Sequence, residues 1–418
     1  MGEELAVKYV ISDQVVLSRP PKGPLVPYVA SFSTWVAGQG YALESVRQRV
    51  RIAADFSWWL ADKSVRLRTV TSEHCAQYLR YRARRQRICD CDASALRQLL
   101  DFLRAQGAVP AEKARRRQLT SGERCTRAFE LYLREERLLA EATIVNYVPF
   151  VRKFLRDRFS TRPVKLSRLC AGDVVRFVQR QAALLNLKTA KLLTTALRSF
   201  LQYARYRGDV QLDLAAAVPL VANWSMPSIP RGIAPDLVRR LLAQINRHTP
   251  MGRRDYAILL LLARLGLRAS EVVSLELDDI DWTDGSVSVR GKNGRRSQLP
   301  LPADVGEAIV AYLQHGRPLS SCRRVFLRAK APVRGFLGPT AVCSIVRHAL
   351  LRAGIDAPTT GAHQFRHGLA TEMLRRGASL SEIGELLGHR SPETTKIYTK
   401  VDIDALRTLA LPWPEEVQ

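Results

Sequence analysis

Two arginines, two histidines, one lysine and one tyrosine, Arg268, Arg366, His363, His389, Lys292 and Tyr398, are spread across the last third of a 418-residue chain. That inventory suits attack on a phosphodiester. A tyrosine hydroxyl can act as a covalent nucleophile, and guanidinium forks match the non-bridging oxygens of a phosphate in geometry and charge. No carboxylate cluster accompanies these groups, so the chemistry could run without a metal ion, and no cofactor is expected.

The local sequence suggests how each group is aimed. Arg268 lies in Gly266-Leu267-Arg268-Ala269-Ser270-Glu271, where a glycine ends one apolar helix and a second begins. Glu271 shares a face with Arg268 and could orient it from behind, although such a pair is more often a solvated ion pair. Lys292 flanks Asn293-Gly294, a hairpin-turn signal, and an ammonium there could protonate a leaving oxygen. The same basic tip, with Arg295 and Arg296, also suits plain contact with a DNA backbone. His363 and Arg366 are three apart and share a helical face, while His367 points about a hundred degrees from Arg366 and reads as a structural imidazole. Ser379 and Glu382 form a capping box for a short helix that ends at Gly388, just before His389. Ser391-Pro392 then starts another helix, with Tyr398 two turns along it and Ile397 packing inward.

Two stretches interrupt the helical pattern and divide the chain. The first holds Pro110 with Lys113, Arg115, Arg116 and Arg117; the second holds Pro219, Pro227, Pro230 and Gly232,. The expected layout is an extra helical module over 1–112, a helical module over 113–218, a linker over 219–232, a catalytic domain over 233–411 and a tail over 412–418. The first two modules resemble each other. Val65-Arg66-Leu67, Val70, Cys75 and Tyr78 fall beside Val164-Lys165-Leu166, Leu169, Val174 and Phe177 at a near-constant offset, and Phe56 and Gly107 fall beside Phe154 and Gly208. Duplication is one reading; chance alignment of two helical bundles is the other. In the third segment, Asp255 to Leu265 reads as a buried helix, while Val287, Val289, Leu299 and Leu301 alternate as strands do. The predicted fold is mainly α: helical N-terminal modules, then a mixed α/β catalytic domain with a small antiparallel sheet.

Composition narrows the partner. With 65 Lys plus Arg against 39 Asp plus Glu, the chain carries a formal charge of +26, as expected of a protein that grips a polyanion,. The longest apolar run, Tyr256 to Ala263, is well short of a bilayer span, and the acidic Glu3-Glu4 start does not suit secretion. A bacterial cytoplasmic or nucleoid location without membrane contact is expected. The seven cysteines, including Cys89 and Cys91, read as ordinary reduced thiols,.

Taken in order, Gly-Leu-Arg-x-Ser-Glu at 266–271, the hairpin lysine at 292, His-x-x-Arg-His at 363–367, Leu-Gly-His at 387–389 and Tyr398 in Ile-Tyr-Thr-Lys-Val resemble the tyrosine recombinase (phage integrase) family. The resemblance is close from about Ile229 to Leu409 and looser over the second segment, which corresponds to that family's core-binding domain. Phe365 stands where leucine is commoner in the family. The resemblance implies a site-specific recombinase that cuts and rejoins DNA without metal or ATP. In it, Arg268 and Arg366 bind the scissile phosphate, His363 and His389 add hydrogen bonds, Tyr398 forms a 3′-phosphotyrosyl bond, and Lys292 protonates the departing 5′-oxygen. It further implies a double-stranded recombination site held in a clamp, and a free monomer or weak dimer. Synapsis would use a homo-tetramer, with Ile403, Leu406 and Leu409 as subunit contacts and further recombinases as accessory partners. The first module is expected to contact DNA or steady the synapse. Arg80, Arg82, Arg84, Arg85 and Arg87 form its basic strip, and Arg115 and Arg116 extend the DNA contacts. The competing classes are a non-catalytic DNA-binding relative, a type IB topoisomerase, and a metal-dependent transposase. The last would need more than the loop carboxylates Asp278, Asp279 and Asp281.

Overall fold

Apolar residues at three- and four-residue spacing fold the first segment into four helices, α1 (Val26–Gly38), α2 (Leu43–Asp62), α3 (Ser72–Ala83) and α4 (Asp90–Ala105),. The computed structural model describes residues 9–12, 15–87, 89–111, 118–160, 162–221, 232–291, 296–357, 359–389 and 391–401. These form two compact units, one of residues 1–112 with 229–418 and one of residues 113–228. The basic stretch 112–117, the proline-rich linker 222–231, the hairpin tip 292–295 and residues 402–418 lie outside the described residues.

A two-stranded antiparallel hairpin, β1 (Tyr9–Ser12) and β2 (Val15–Leu17), precedes the first helices. The sequence reading expected only helices there. Val10, Ile11, Val15 and Val16 are β-branched and favour strands, and Val15 and Leu17 face the bundle core. Cys89 and Cys91 are joined in a disulfide, with their Cα atoms 5.2 Å apart, which corrects the expectation of two thiols,.

The second unit repeats the pattern with α5 (Ser121–Leu131), α6 (Glu141–Phe159), α7 (Ala171–Ala182) and α8 (Leu187–Tyr206). A 3-10 turn precedes the third helix in each bundle, Leu67–Thr69 in one and Leu166–Arg168 in the other. Each bundle also ends its last helix before a left-handed glycine, Gly107 (φ 67°) and Gly208 (φ 76°), a conformation that costs glycine little,. The packed rings recur as well. Phe56 meets Tyr78 at 5.2 Å as Phe154 meets Phe177 at 5.1 Å. Phe32 and Trp35 stack at 6.1 Å as Phe129 and Tyr132 do at 6.4 Å.

In the third segment the buried helix is α10 (Pro250–Arg264), preceded by α9 (Pro235–Ala243). Ile258, Leu259, Leu260, Leu261 and Leu262 are all buried, so α10 is apolar on every side and lies at the centre of the core,. Against it pack α11 (Ala269–Ser274), α12 (Ala303–His315), α13 (Thr340–Arg352) and α14 (His363–Arg375). The sheet is antiparallel in the order β3 (Ile280–Asp281), β4 (Ser286–Arg290) and β5 (Arg296–Pro300), with Val287 opposite Leu299 and Val289 opposite Ser297. The expected strand alternation therefore stands. The capping box also stands: Ser379 opens α15 (Leu380–Leu386), with Glu382 N donating to Ser379 Oγ at 3.2 Å.

Where the chain enters this segment it crosses α14 closely. A Cβ on Gly232 would come within 2.4 Å of Gly368 N, and one on Gly368 within 2.5 Å of the Ile233 carbonyl oxygen. Only two glycines permit that approach, and it fixes the turn of α14 that carries His363 and His367.

Candidate active site

Gly266 has φ 60°, and a Cβ there would meet Leu387 at 2.9 Å, so the corner before Arg268 is open to glycine alone,. Arg268 follows in extended backbone as the residue that caps α11. Glu271 holds it twice: Oε2 accepts from the Arg268 backbone N–H at 2.8 Å and Oε1 from Nη1 at 2.6 Å. Glu271 is itself buried. The Arg268 side chain remains a third exposed and lines a pocket.

Arg366 projects from the first turn of α14 and is only 3 % exposed. Its Nη1 donates to the Gly266 carbonyl at 2.9 Å and its Nη2 to the Leu387 carbonyl. One guanidinium thus ties the corner carrying Arg268 to the loop carrying His389. Burial, and then the nearby Arg268 charge, push its pKa down to about 10, so it stays charged at neutral pH,. Two guanidiniums with one carboxylate between them leave a net positive hollow. The pocket they line, of about 660 Å³, also receives Ser297, Gly388, His389 and Thr394. An adjoining pocket of about 870 Å³ carries Arg296, His389 and Lys396.

His389 emerges just past Gly388 (φ 57°), where its backbone N–H donates to the Gly384 carbonyl at 2.8 Å. Its Nδ1 lies 2.8 Å from Thr395 Oγ1. Burial, with Arg366 and Arg268 adding to it, lowers its pKa to about 4, so the ring is neutral at physiological pH,.

Tyr398 departs from the expected single helix. Ser391-Pro392 opens only a four-residue helix, α16 (Pro392–Thr395), and the chain then tightens into a 3-10 stretch, Lys396–Val401. The buried Thr395, bonded to His389, sits at that junction. The Tyr398 ring fills a small core with Ala370, Ile383 and Leu387, and it lies parallel to the His389 ring at 6.3 Å. Its pKa is raised by burial, against the pull of the Arg366 and Arg268 charges. Its hydroxyl meets His367 Nδ1 at 3.0 Å.

His367, read from the sequence as a structural imidazole, is satisfied by that hydroxyl. It lies one turn beyond His363, with the two rings edge-to-face at 4.6 Å, so the helical spacing from His363 was the signal for its place,. Thr395, as the partner of His389, had no sequence signal of comparable kind.

The structure thus brings Arg268, Glu271, Arg366, His389, Tyr398 and, through His367, His363 into one neighbourhood. Lys292, Arg295, Arg115 and Arg116 lie outside the described residues. Arg296 is exposed on β5. In the first bundle, Arg80 is exposed and pairs with Glu73 at 3.1 Å; Arg84 and Arg85 are exposed past the end of α3. Arg82 leaves the expected basic strip, because it turns inward to Asp55 at 3.3 Å and Asp92 at 3.2 Å. Asp278 and Asp279 are each engaged by a different arginine, Arg323 and Arg290.

Comparison with known proteins places the chain in a family. Residues 231–404 match the phage integrase family, and residues 127–208 match the phage integrase N-terminal SAM-like domain. A Sinorhizobium fredii protein, y4rA, described as an integrase/recombinase, is 57% identical over 99% of this chain and 100% of its own length. The XerH site-specific recombinase bound to palindromic difH substrate aligns with TM-score 0.56 at 19% identity, covering 75% of this chain and 94% of that one. A lambda integrase tetramer bound to a Holliday junction aligns with TM-score 0.51 at 16% identity, over 71% of this chain and 87% of that one. The two structural likenesses concern the fold, whereas full-length identity to y4rA, together with the family match over the pocket, settles kinship: this chain belongs to the phage integrase family of tyrosine recombinases.

Proposed function

We propose that the protein is a site-specific recombinase that cuts and rejoins double-stranded DNA through a 3′-phosphotyrosyl bond on Tyr398, using neither metal nor ATP. The observation that carries this reading is the convergence of Arg268, Arg366 and His389 on one pocket, with the buried Tyr398 ring parallel to His389 and within the field of both arginines. The two guanidiniums would hold the scissile phosphate and stabilise charge on its equatorial oxygens. With Glu271 gripping Arg268 and two carbonyls gripping Arg366, neither side chain needs to reorganise as that charge develops. His389, neutral and with Nδ1 engaged by Thr395, would present Nε2–H to a phosphate oxygen. Lys292 keeps its assigned role as proton donor to the 5′-oxygen. The covalent bond conserves the phosphodiester's energy, so a 5′-hydroxyl from another strand can reverse the step.

Tyr398→Phe tests the assignment directly. The variant should bind its DNA site normally and give no detergent-stable protein–DNA adduct; an adduct surviving in the variant would falsify it. Joined products from two duplexes, as opposed to relaxation of one, separate recombination from topoisomerase action.

Assembly follows the same reading. Like the lambda integrase assembled on a Holliday junction, the protein would act as a tetramer, with residues beyond Val401 as subunit contacts. Removing those residues should impair recombination more than single-site binding. We also infer that the first bundle duplicates the second, on the strength of their recurring helices, 3-10 turns and ring pairs, and that it contributes DNA contacts. Removing residues 1–112 should then shorten the footprint on the site. Among the described residues no helix is long and apolar enough to cross a membrane.

A further inference from the structure

When a tyrosine hydroxyl attacks phosphorus its proton must leave, and the structure places an acceptor on that oxygen. His367 Nδ1 lies 3.0 Å from the Tyr398 hydroxyl, with the two ring centroids 5.7 Å apart. We infer that His367 is a catalytic residue that takes the Tyr398 proton as the phosphotyrosyl bond forms. The inference rests on the phosphotyrosyl reading and assigns one proton within it.

The placement is built, not incidental. His367 sits in the α14 turn crossed by Gly232, and its carbonyl accepts from Thr371 Oγ1 at 2.9 Å, so the backbone beneath the ring is fixed on two sides. The groups that face the ring are His363 and Arg366 from its own helix, Tyr398 from the 3-10 stretch and His389 from the loop after α15. Burial first, then His363 and Arg366, hold its pKa down at about 4. At neutral pH the ring therefore has a free lone pair, and if Nδ1 accepts from the phenol, Nε2 carries the ring proton. His389, by contrast, has its Nδ1 committed to Thr395.

A base with so low a proton affinity needs help at the moment of transfer. A phosphate between Arg268 and Arg366 supplies it, because its negative charge offsets the positive field that disfavours imidazolium. In cleavage the Tyr398 O–H bond breaks, the Oη–P bond forms and the P–O5′ bond breaks. The phenolic proton moves to Nδ1, giving an imidazolium, while the 5′-oxygen takes its own proton from a separate acid. In rejoining, the Oη–P bond breaks and the same proton returns to the phenolate.

The test measures adduct formation on a nicked substrate by the full chain, its Tyr398→Phe control, His367→Asn and His363→Asn. Asparagine places an acceptor oxygen near the position of Nδ1 and keeps the hydrogen bond without the basicity. His367→Asn should bind DNA as the parent does but cleave about 100-fold more slowly or worse, the scale of general-base catalysis. Its residual rate should climb about tenfold per pH unit above neutrality as hydroxide takes over, while the parent rate levels off. His363→Asn should keep the parent's plateau in the pH profile. His367→Gln carries the same test should the asparagine variant fail to bind. Cleavage by His367→Asn at the parent rate and with the parent pH profile overturns the assignment. Absence of any adduct from the parent overturns the phosphotyrosyl reading, and this assignment falls with it.

Discussion

The two helical bundles are alike inside and unlike where their second and third helices cross. Both bury the same ring pair at the same place, Phe56 with Tyr78 and Phe154 with Phe177. At the crossing, however, the first bundle sets Trp59 against Tyr81 at 6.4 Å, while at the matching positions the second sets Asp157 against Arg180 at 2.7 Å. At these matching positions one crossing carries a ring pair and the other an ion pair. The third helix also starts differently. Thr71 and His74 cap it in the first bundle, whereas in the second Asp173 accepts from Cys170 N and pairs with Arg158 and Arg176, each at 2.8 Å. Apolar burial evidently specifies the bundle, and the seams around it can be rewritten without changing the helices.

Four measurements can break or sharpen that comparison. The largest effect is expected from the shared core: Phe56→Ala and Phe154→Ala should each cost about 3–5 kcal/mol. Hydrogen exchange of α2 and α6 amides would read it, and tolerance in one bundle alone would show that the cores are not equivalent. At the crossings, Trp59→Ala should cost about 3 kcal/mol, whereas Asp157→Ala, which breaks a pair whose arginine is well exposed, should cost less than about 1 kcal/mol. Trp59→Phe should be close to neutral, because the buried indole N–H has no hydrogen-bond partner to lose,. Equal costs at the two crossings would refute the distinction.

The third effect is smaller and depends on pH. Burial alone would raise the Asp173 pKa, but the bonds from Arg158 and Cys170 outweigh it and hold the carboxylate below its ordinary range. A depressed pKa stabilises the folded state above the unfolded value of about 3.9 and is lost as pH falls through the folded one. Acidification below about pH 4 should therefore loosen α7 in particular, and Asp173→Asn should remove that pH dependence. The smallest effect concerns DNA. Replacing Arg84 and Arg85 with alanine should reduce the salt slope of binding by up to about two if both touch phosphates, at about 0.9 each. An unchanged slope would leave the first bundle's basic strip without a DNA role.

Much of this was legible locally. Helix periods, the Ser379–Glu382 capping box, the Gly388 stop and the β4–β5 alternation are short-range signals, set by turn geometry and by which faces are apolar. The Arg268–Glu271 pair was legible because three residues on a helix is a contact distance. The β1–β2 hairpin was missed because two short strands carry little periodicity. The break at Thr395, where a 3-10 stretch replaces one long helix, was not legible because helical periodicity does not report the tertiary hydrogen bond to His389 at that junction. The partner of His367 was not legible, because the Tyr398 hydroxyl it meets lies 31 positions along the chain.

The sequence by itself determined the inventory: a cationic chain, helices with one apolar face, and six polar groups in an order that fits phosphoryl transfer. The charge follows from composition and the helices from periodicity, which are properties of neighbours along the chain, while the order of the six groups is legible through its resemblance to the tyrosine recombinase family. Only the tertiary structure decided that Arg366 spans the carbonyls of Gly266 and Leu387, and that Tyr398 is buried with its hydroxyl on His367. Contacts between residues 31 or 100 positions apart arise from how buried surfaces fit together, and no local pattern encodes that fit.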